Sequence, residues 1–280
     1  MKKILKHKLF HHYLIIVVGF VLVCVIAYIA LLVFPVRLDQ DAKFTQKELS
    51  KPVVAPKPAP TPIAVPEPSP VAPPATLQKS DYSLPATTNG LAPVVYKVST
   101  DQNVVFLGLD DGAFKDQSVV DIMRQNNIKA SLFLSKAFIA SNPDLFRQLV
   151  DLGSVVEDHT LSHDLGMVND QTYDQQKNEI CGMADYVAEQ YGRRPTLFRP
   201  PGGAYSDTML QVAADCGMKA VVTWVAKSNG GSMQYQVGDR LRPGDVVLMH
   251  FRPEFAADMQ AFVDAMNVAG LHTALLEDAL

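Results

Sequence analysis

The chain has 280 residues, enough for one or two domains, with 25 Lys and Arg against 29 Asp and Glu and a net charge of −4. That mildly acidic balance excludes a nucleic-acid partner, which calls for a concentrated basic surface. Nothing in the composition calls for an obligate protein partner.

The one basic cluster is Lys2, Lys3, Lys6 and Lys8, in a stretch 1–12 ahead of an uncharged apolar run at 13–34. About 20 apolar residues at 1.5 Å rise cross the hydrocarbon core of a bilayer. Lysines before the run, with Arg37, Asp39 and Asp41 after it, place the N-terminus inside. The sequence therefore predicts a single-pass cell-membrane protein: cytoplasmic tail 1–12, transmembrane helix 13–34, and everything beyond outside the cytoplasm. A cleaved signal peptide is the alternative; the length of the run and the lack of an A-x-A site oppose it. Cys24 lies within the run as a small apolar residue. Cys181 and Cys216 fall in the exported part, where one disulfide is allowed but not required.

Residues 35–92 read as an extended linker. Between Lys51 and Thr76 proline recurs at nearly every second or third position, which removes ladder donors and fixes φ. Such a tract is a semi-rigid polyproline II spacer. Residues 93–280 are globular in composition. Strands are expected at Val104–Leu109, Ala130–Leu134, Val155–Val156, Thr196–Phe198, Ala220–Trp224 and Val246–Met249. Helices are expected at Gln117–Gln125, Asn142–Leu152, Thr172–Gln190 and Asp207–Cys216, and Ala256–Val268 and His272–Leu276 complete the series. Strands alternating with helices imply parallel βα units and an α/β fold, and about seven strands fit a closed barrel better than a long open sheet.

In such a domain functional residues gather at the C-terminal ends of strands. Four places there carry reactive side chains. Asp110-Asp111-Gly112 ends the first strong strand; two adjacent carboxylates suit a metal on one and a base on the other, although Asp-Gly is also a common turn. His159 and His163, at i and i+4, face the same way on a helical turn and can reach one ion. Arg199 offers a planar fork of donors to a carboxylate, followed by Pro200, Pro201, Gly202 and Gly203. His250 ends another apolar strand. Together these predict Asp111, His159 and His163 as a facial metal triad, with Asp110 and His250 as an acid/base pair.

The ordered set resembles the polysaccharide deacetylases of the NodB-homology group, carbohydrate esterase family 4, over roughly residues 93–280. Gly108-Leu109-Asp110-Asp111-Gly112 is similar to T-F-D-D-G, His159–His163 to H-[ST]-x-x-H, Arg199–Gly203 to R-x-P-[YF]-G, and Leu248-Met249-His250 to L-x-H. The resemblance implies a distorted (β/α) barrel and a divalent metal cofactor, Zn2+ first with Co2+, Mn2+ or Ni2+ as alternatives. It also implies an acetylated glycan substrate. It makes Asp110 the base, Arg199 its orienting partner, His250 the general acid, Gly202 an oxyanion donor and Leu248 the lining for the acetyl methyl. Trp224 leads the fourth motif, but Trp224–Gly231 lacks the carboxylate that supports the acid histidine, and Lys227 and Gly230 stand in its place. Glu254 and Asp245, both near His250 in sequence, are the expected substitutes. The implied reaction is deacetylation of a glycan, and the expected membrane anchor and spacer point to the cell surface and so to peptidoglycan N-acetylglucosamine first. The alternatives are an O-acetyl esterase and a catalytically weak glycan-binding protein.

Overall fold

A computed structural model describes residues 88–280. The expected tail, membrane helix and most of the expected linker lie outside those residues. Among the described residues no helix is long and apolar enough to cross a membrane.

Strands and helices alternate as expected. In chain order they are β1 (Val94–Val95), β2 (Val104–Asp111), α1 (Gln117–Gln125), β3 (Ser131–Leu134), α2 (Lys136–Ile139), α3 (Pro143–Asp151), β4 (Val155–Asp158), α4 (Met167–Asp170) and α5 (Tyr173–Tyr191). Then follow β5 (Leu197–Phe198), α6 (Asp207–Asp215), β6 (Ala220–Val222), β7 (Ala226–Asn229), β8 (Ser232–Tyr235), β9 (Val246–His250), α7 (Phe255–Ala269), β10 (His272–Ala274) and α8 (Leu276–Ala279). Local chemistry sets several boundaries. Asp116 caps α1, Thr172 and Gln175 form a capping box at α5, and Gly192 closes α5 in the left-handed conformation.

The sheet runs β1-β6-β5-β4-β3-β2-β9-β7-β8, with β10 beside the start of β2. All pairings are parallel except the β7–β8 hairpin. Strand β2 is apolar on both faces because both are covered. Its Val105, Leu107 and Leu109 pack with α1, α3 and α7, while Val104 and Phe106 face inward with Phe133, Leu197 and Leu276. Period-two alternation therefore turns Gly108 and Asp110 inward too, above an apolar floor.

The closed barrel of about seven strands is corrected to an α/β half-barrel. Strands β6 and β9 do not pair. The chain instead leaves β6 at Val222, crosses through residues 223–225 and enters β7 on the far side of β9. The carbonyls of Val222 and Thr223, where the chain leaves β6, accept hydrogen bonds from the Arg199 side chain. The cysteine pairing left open by the sequence is made: Cys181 in α5 is bonded to Cys216 at the end of α6. Closing that loop stabilises the fold by roughly 3–4 kcal/mol in the chain-entropy picture.

At the apolar floor, α8 buries Glu277, which accepts a hydrogen bond from Ser131 Oγ at 2.9 Å, while its Oε1 has no partner. Burial first, then the nearby Glu157 carboxylate, push its pKa from 4.5 up to about 8. The folded state thus holds a proton that the unfolded state releases above about pH 4.5, so this residue makes stability fall as pH rises to about 8. Glu277→Gln should raise the unfolding free energy by about 1–3 kcal/mol at about pH 8.5 and change it little near pH 5. Urea unfolding at the two pH values checks this; an equal effect at both would remove the buried proton from the explanation.

Candidate active site

The site is built around a guanidinium that has no solvent exposure. Arg199 follows β5 and turns into the half-barrel, where Nη1 donates to Asp110 Oδ1 at 2.6 Å and Nε to the Val222 carbonyl at 3.2 Å. Its guanidinium lies 4.0 Å from the centre of the Phe133 ring. Space for it exists because Gly108 has no side chain: a Cβ there would sit 2.4 Å from Nη1. With Oδ1 committed to Arg199, Oδ2 of Asp110 faces the histidines, 3.8 Å from His159 Nε2. Burial pulls the Arg199 pKa down and the Asp110 charge opposes it.

Asp111, His159 and His163 come together at the ends of β2 and β4, each offering one ligand atom, all within 4.8 Å of one another. Asp111 Oδ1 lies 2.9 Å from His163 Nε2 and 3.4 Å from His159 Nε2. His159 Nδ1 is 2.6 Å from the Arg199 carbonyl, which can only accept, so Nδ1 carries the proton and Nε2 keeps its lone pair for a ligand. A divalent ion fits this set of two imidazoles and a carboxylate. Burial alone would raise the Asp111 carboxyl, but hydrogen bonds from His159 and His163 outweigh it and hold it well below the carboxylate range. The same Asp111 contact raises His163, with burial opposing.

The histidine pair does not lie on a helical turn, as the i, i+4 spacing predicts. Residues 159–163 form a bend with positive φ at Thr160 (73°) and His163 (59°), and Asp111 across the site has φ 77°. Asp158 Oδ1 accepts from the Thr160 N–H, and Thr160 Oγ1 accepts from the His163 N–H; these bonds hold the strained loop. Asp158 itself is buried, and burial raises its pKa well above the usual range.

An open cleft joins Asp110, Asp111, His159 and His163 to Gly202, Trp224, Leu248 and His250, so every sequence-predicted site residue except the buried Arg199 lines it. Gly203 lets Trp224 approach, since a Cβ would meet the indole at 2.7 Å. Burial lowers the His250 pKa below 6.5, while Asp110 and Asp111 pull it up.

Neither expected substitute supports His250. Asp245 lies at the opposite end of β9, about 16 Å away at ~3.3 Å per residue, where it accepts from the Arg242 N–H and pairs with Lys97 at 3.3 Å. Glu254 is exposed at the start of α7 and is not among the charges that act on His250. Sequence neighbourhood carries no distance across a strand end. Four lining residues escaped the sequence reading as site residues: Leu165, Lys227, Asn229 and Arg252. Lys227 is in register with Leu248, and Asn229, two residues along the same strand, faces the cleft with His250. The hairpin that carries them was not expected, although Gly230-Gly231 is a two-residue turn signal.

The sequence profile described as polysaccharide deacetylase matches residues 97–221. An uncharacterised protein of Streptomyces coelicolor is 36% identical over 196 residues, covering 68% of this chain and 78% of its own length. A peptidoglycan-N-acetylglucosamine deacetylase of Bacillus cereus is 26% identical over 56% of this chain and 76% of its own. Among solved structures, a family 4 carbohydrate esterase of Streptomyces lividans in complex with acetate superposes with a TM-score of 0.55 at 28% identity. That match covers 63% of this chain and 94% of the esterase.

The close approach at Gly108 makes a specific substitution informative. Gly108→Ala should displace the guanidinium and leave Asp110 and Arg199 buried without each other, lowering the unfolding free energy by about 3–5 kcal/mol. Chemical denaturation of the full chain measures this. Wild-type stability in Gly108→Ala would mean that the pair does not depend on that gap.

Proposed function

We propose that this chain, which belongs to the polysaccharide deacetylase family, is a metal-dependent hydrolase that removes acetyl groups from an N-acetylated cell-surface glycan, with peptidoglycan N-acetylglucosamine as first substrate. The observation that carries it is the Asp111, His159 and His163 cluster opening onto one cleft with Asp110 and His250. The substrate is proposed from the activity for which the Bacillus cereus relative is named and from the expected location outside the cytoplasm. The Cys181–Cys216 bond supports that location, because disulfides persist in oxidising compartments. Anchoring through the apolar run at 13–34 belongs to the same proposal.

When bound, a divalent ion supplies Lewis acidity and lowers the pKa of water. The chain does the rest. Asp110 Oδ2, free of Arg199, takes a proton from the attacking water, while Arg199 keeps the carboxylate turned toward the histidines. The Gly202 N–H stabilises the negative oxygen of the tetrahedral centre, and Leu248 packs against the acetyl methyl. His250 delivers a proton to the departing amine as the C–N bond breaks, and acetate leaves. Water and acetamide thus become acetate and amine.

The burial of His250 favours a second reading. Burial lowers its pKa and so weakens its supply of protons, and an ester releases its alcohol with less need of prior protonation than an amide. O-acetyl ester hydrolysis on an envelope glycan is therefore the alternative, and acetylxylan beside N-acetylglucosamine oligomers separates the two.

The full chain with added zinc should release acetate from N-acetylglucosamine oligomers and stop in chelator. Asp110→Asn should lose ~10²–10⁴-fold in turnover, the cost of a missing general base. Because His250 must be protonated, kcat/KM should fall as pH rises, with its midpoint lower than that of an unburied histidine. A profile flat from about pH 5 to 8 would remove His250 as the acid, and full activity in chelator would sink the metal-dependent reading.

A further inference from the structure

Two cations at the cleft lack an acidic partner. Lys227 and Arg252 both line it, and among the described residues neither forms a salt bridge. Arg252 is held at the rim by donating from Nη1 to Asn229 Oδ1 at 2.9 Å. Lys227 projects from β7 beside Leu248, the residue proposed to meet the acetyl methyl. The two carboxylates of the cleft have other partners: Asp110 has Arg199, and Asp111 has the two histidines. Counting the buried Arg199 with the lining residues, three fixed cations meet two carboxylates at the cleft of a chain that is acidic as a whole.

Lys227 also belongs to a neighbouring groove, which shares Trp224 with the cleft and continues along the β7–β8 hairpin to Gln234 and Gln236. An indole and two amides offer stacking and hydrogen bonds suited to a sugar ring. A second sugar running from the cleft into this groove would pass Lys227 at the junction.

We propose that Lys227 and Arg252 form an anion-recognising subsite that selects glycans carrying a carboxylate or phosphate within one sugar of the acetyl group removed. This rests on the reading of the cleft as a glycan deacetylase site and narrows its substrate class. Charge-assisted hydrogen bonds from an ammonium and a guanidinium give the discrimination, and a neutral oligomer leaves both cations unmatched.

The test measures binding, in chelator so that no acetate is released, using the full chain in detergent and titration calorimetry. The ligands are four N-acetylglucosamine disaccharides: unsubstituted, with a lactyl ether carboxylate, with the methyl ester of that carboxylate, and with a 6-phosphate. The carboxylate ligand, the phosphate ligand or both should bind about tenfold tighter than the neutral ones at low salt; which of them does identifies the anion. The ratio should fall towards one in high salt and in Lys227→Gln/Arg252→Gln. Arg252→Lys, which keeps the charge, should retain most of it. A ratio near one in the wild type, no measurable binding of either anionic ligand, or a ratio unchanged in the double variant overturns the subsite. Acetate release with zinc is measured separately. Release without charge discrimination overturns the subsite alone, whereas discrimination without release overturns the deacetylase reading and leaves the subsite in place.

Discussion

A guanidinium with no access to water must find its partners where it lies, and the partners of Arg199 organise this protein. Moving such a cation from water into a protein interior costs several kcal/mol. That cost is offset by Asp110 at 2.6 Å, by the Val222 carbonyl at 3.2 Å and by the face of Phe133. Each contact has a structural consequence. Asp110 is fixed by one oxygen and free at the other. The carbonyl at the end of β6 is satisfied by a side chain and is not left as an orphaned acceptor where the chain leaves the strand. The backbone carbonyl of Arg199 accepts a hydrogen bond from the His159 Nδ1–H and so fixes the tautomer of that candidate ligand. One residue thereby ties together the proposed base, the candidate metal ligands and the end of β6.

The loops that carry the candidate metal ligands are strained, and their surroundings hold that strain in place. Asp111, Thr160 and His163 all have φ between 59° and 77°, a region that costs a non-glycine residue roughly 1–2 kcal/mol. Thr160 is β-branched and therefore an outlier there. Buried Asp158 and the Thr160 hydroxyl hold that bend by accepting the Thr160 and His163 N–H groups. Two of the three strained residues are the candidate ligands themselves, which is where stored strain has a use: it keeps donors pointed at a common centre before any ion arrives.

Much of this was visible in the sequence. The apolar runs of β2, β3, β4 and β9 and the amphipathic pattern of α1 gave their elements directly, and placing reactive side chains at strand ends located the site. Other features depend on contacts that periodicity does not encode. The open arc follows from β1 flanking β6 and from the chain crossing to β7 beyond β9, and the histidine bend follows from two side-chain caps. Strands β7 and β8 mix polar and small residues, so only the Gly230-Gly231 turn announced them. The missing fourth-motif acid led to Asp245 and Glu254 because they are near in sequence. In space Asp245 is at the wrong end of β9, and the charges acting on His250 are those of the cleft itself.

The most direct test is a double-mutant cycle between Arg199 and Asp110, read by unfolding free energy of the full chain. Arg199→Met should destabilise by about 3–5 kcal/mol, because it leaves a buried carboxylate without its partner. Adding Asp110→Asn to Arg199→Met should recover part of that loss, giving a coupling energy of about 1–3 kcal/mol. Additive losses, with a coupling energy near zero, would contradict the view that this pair holds the site together.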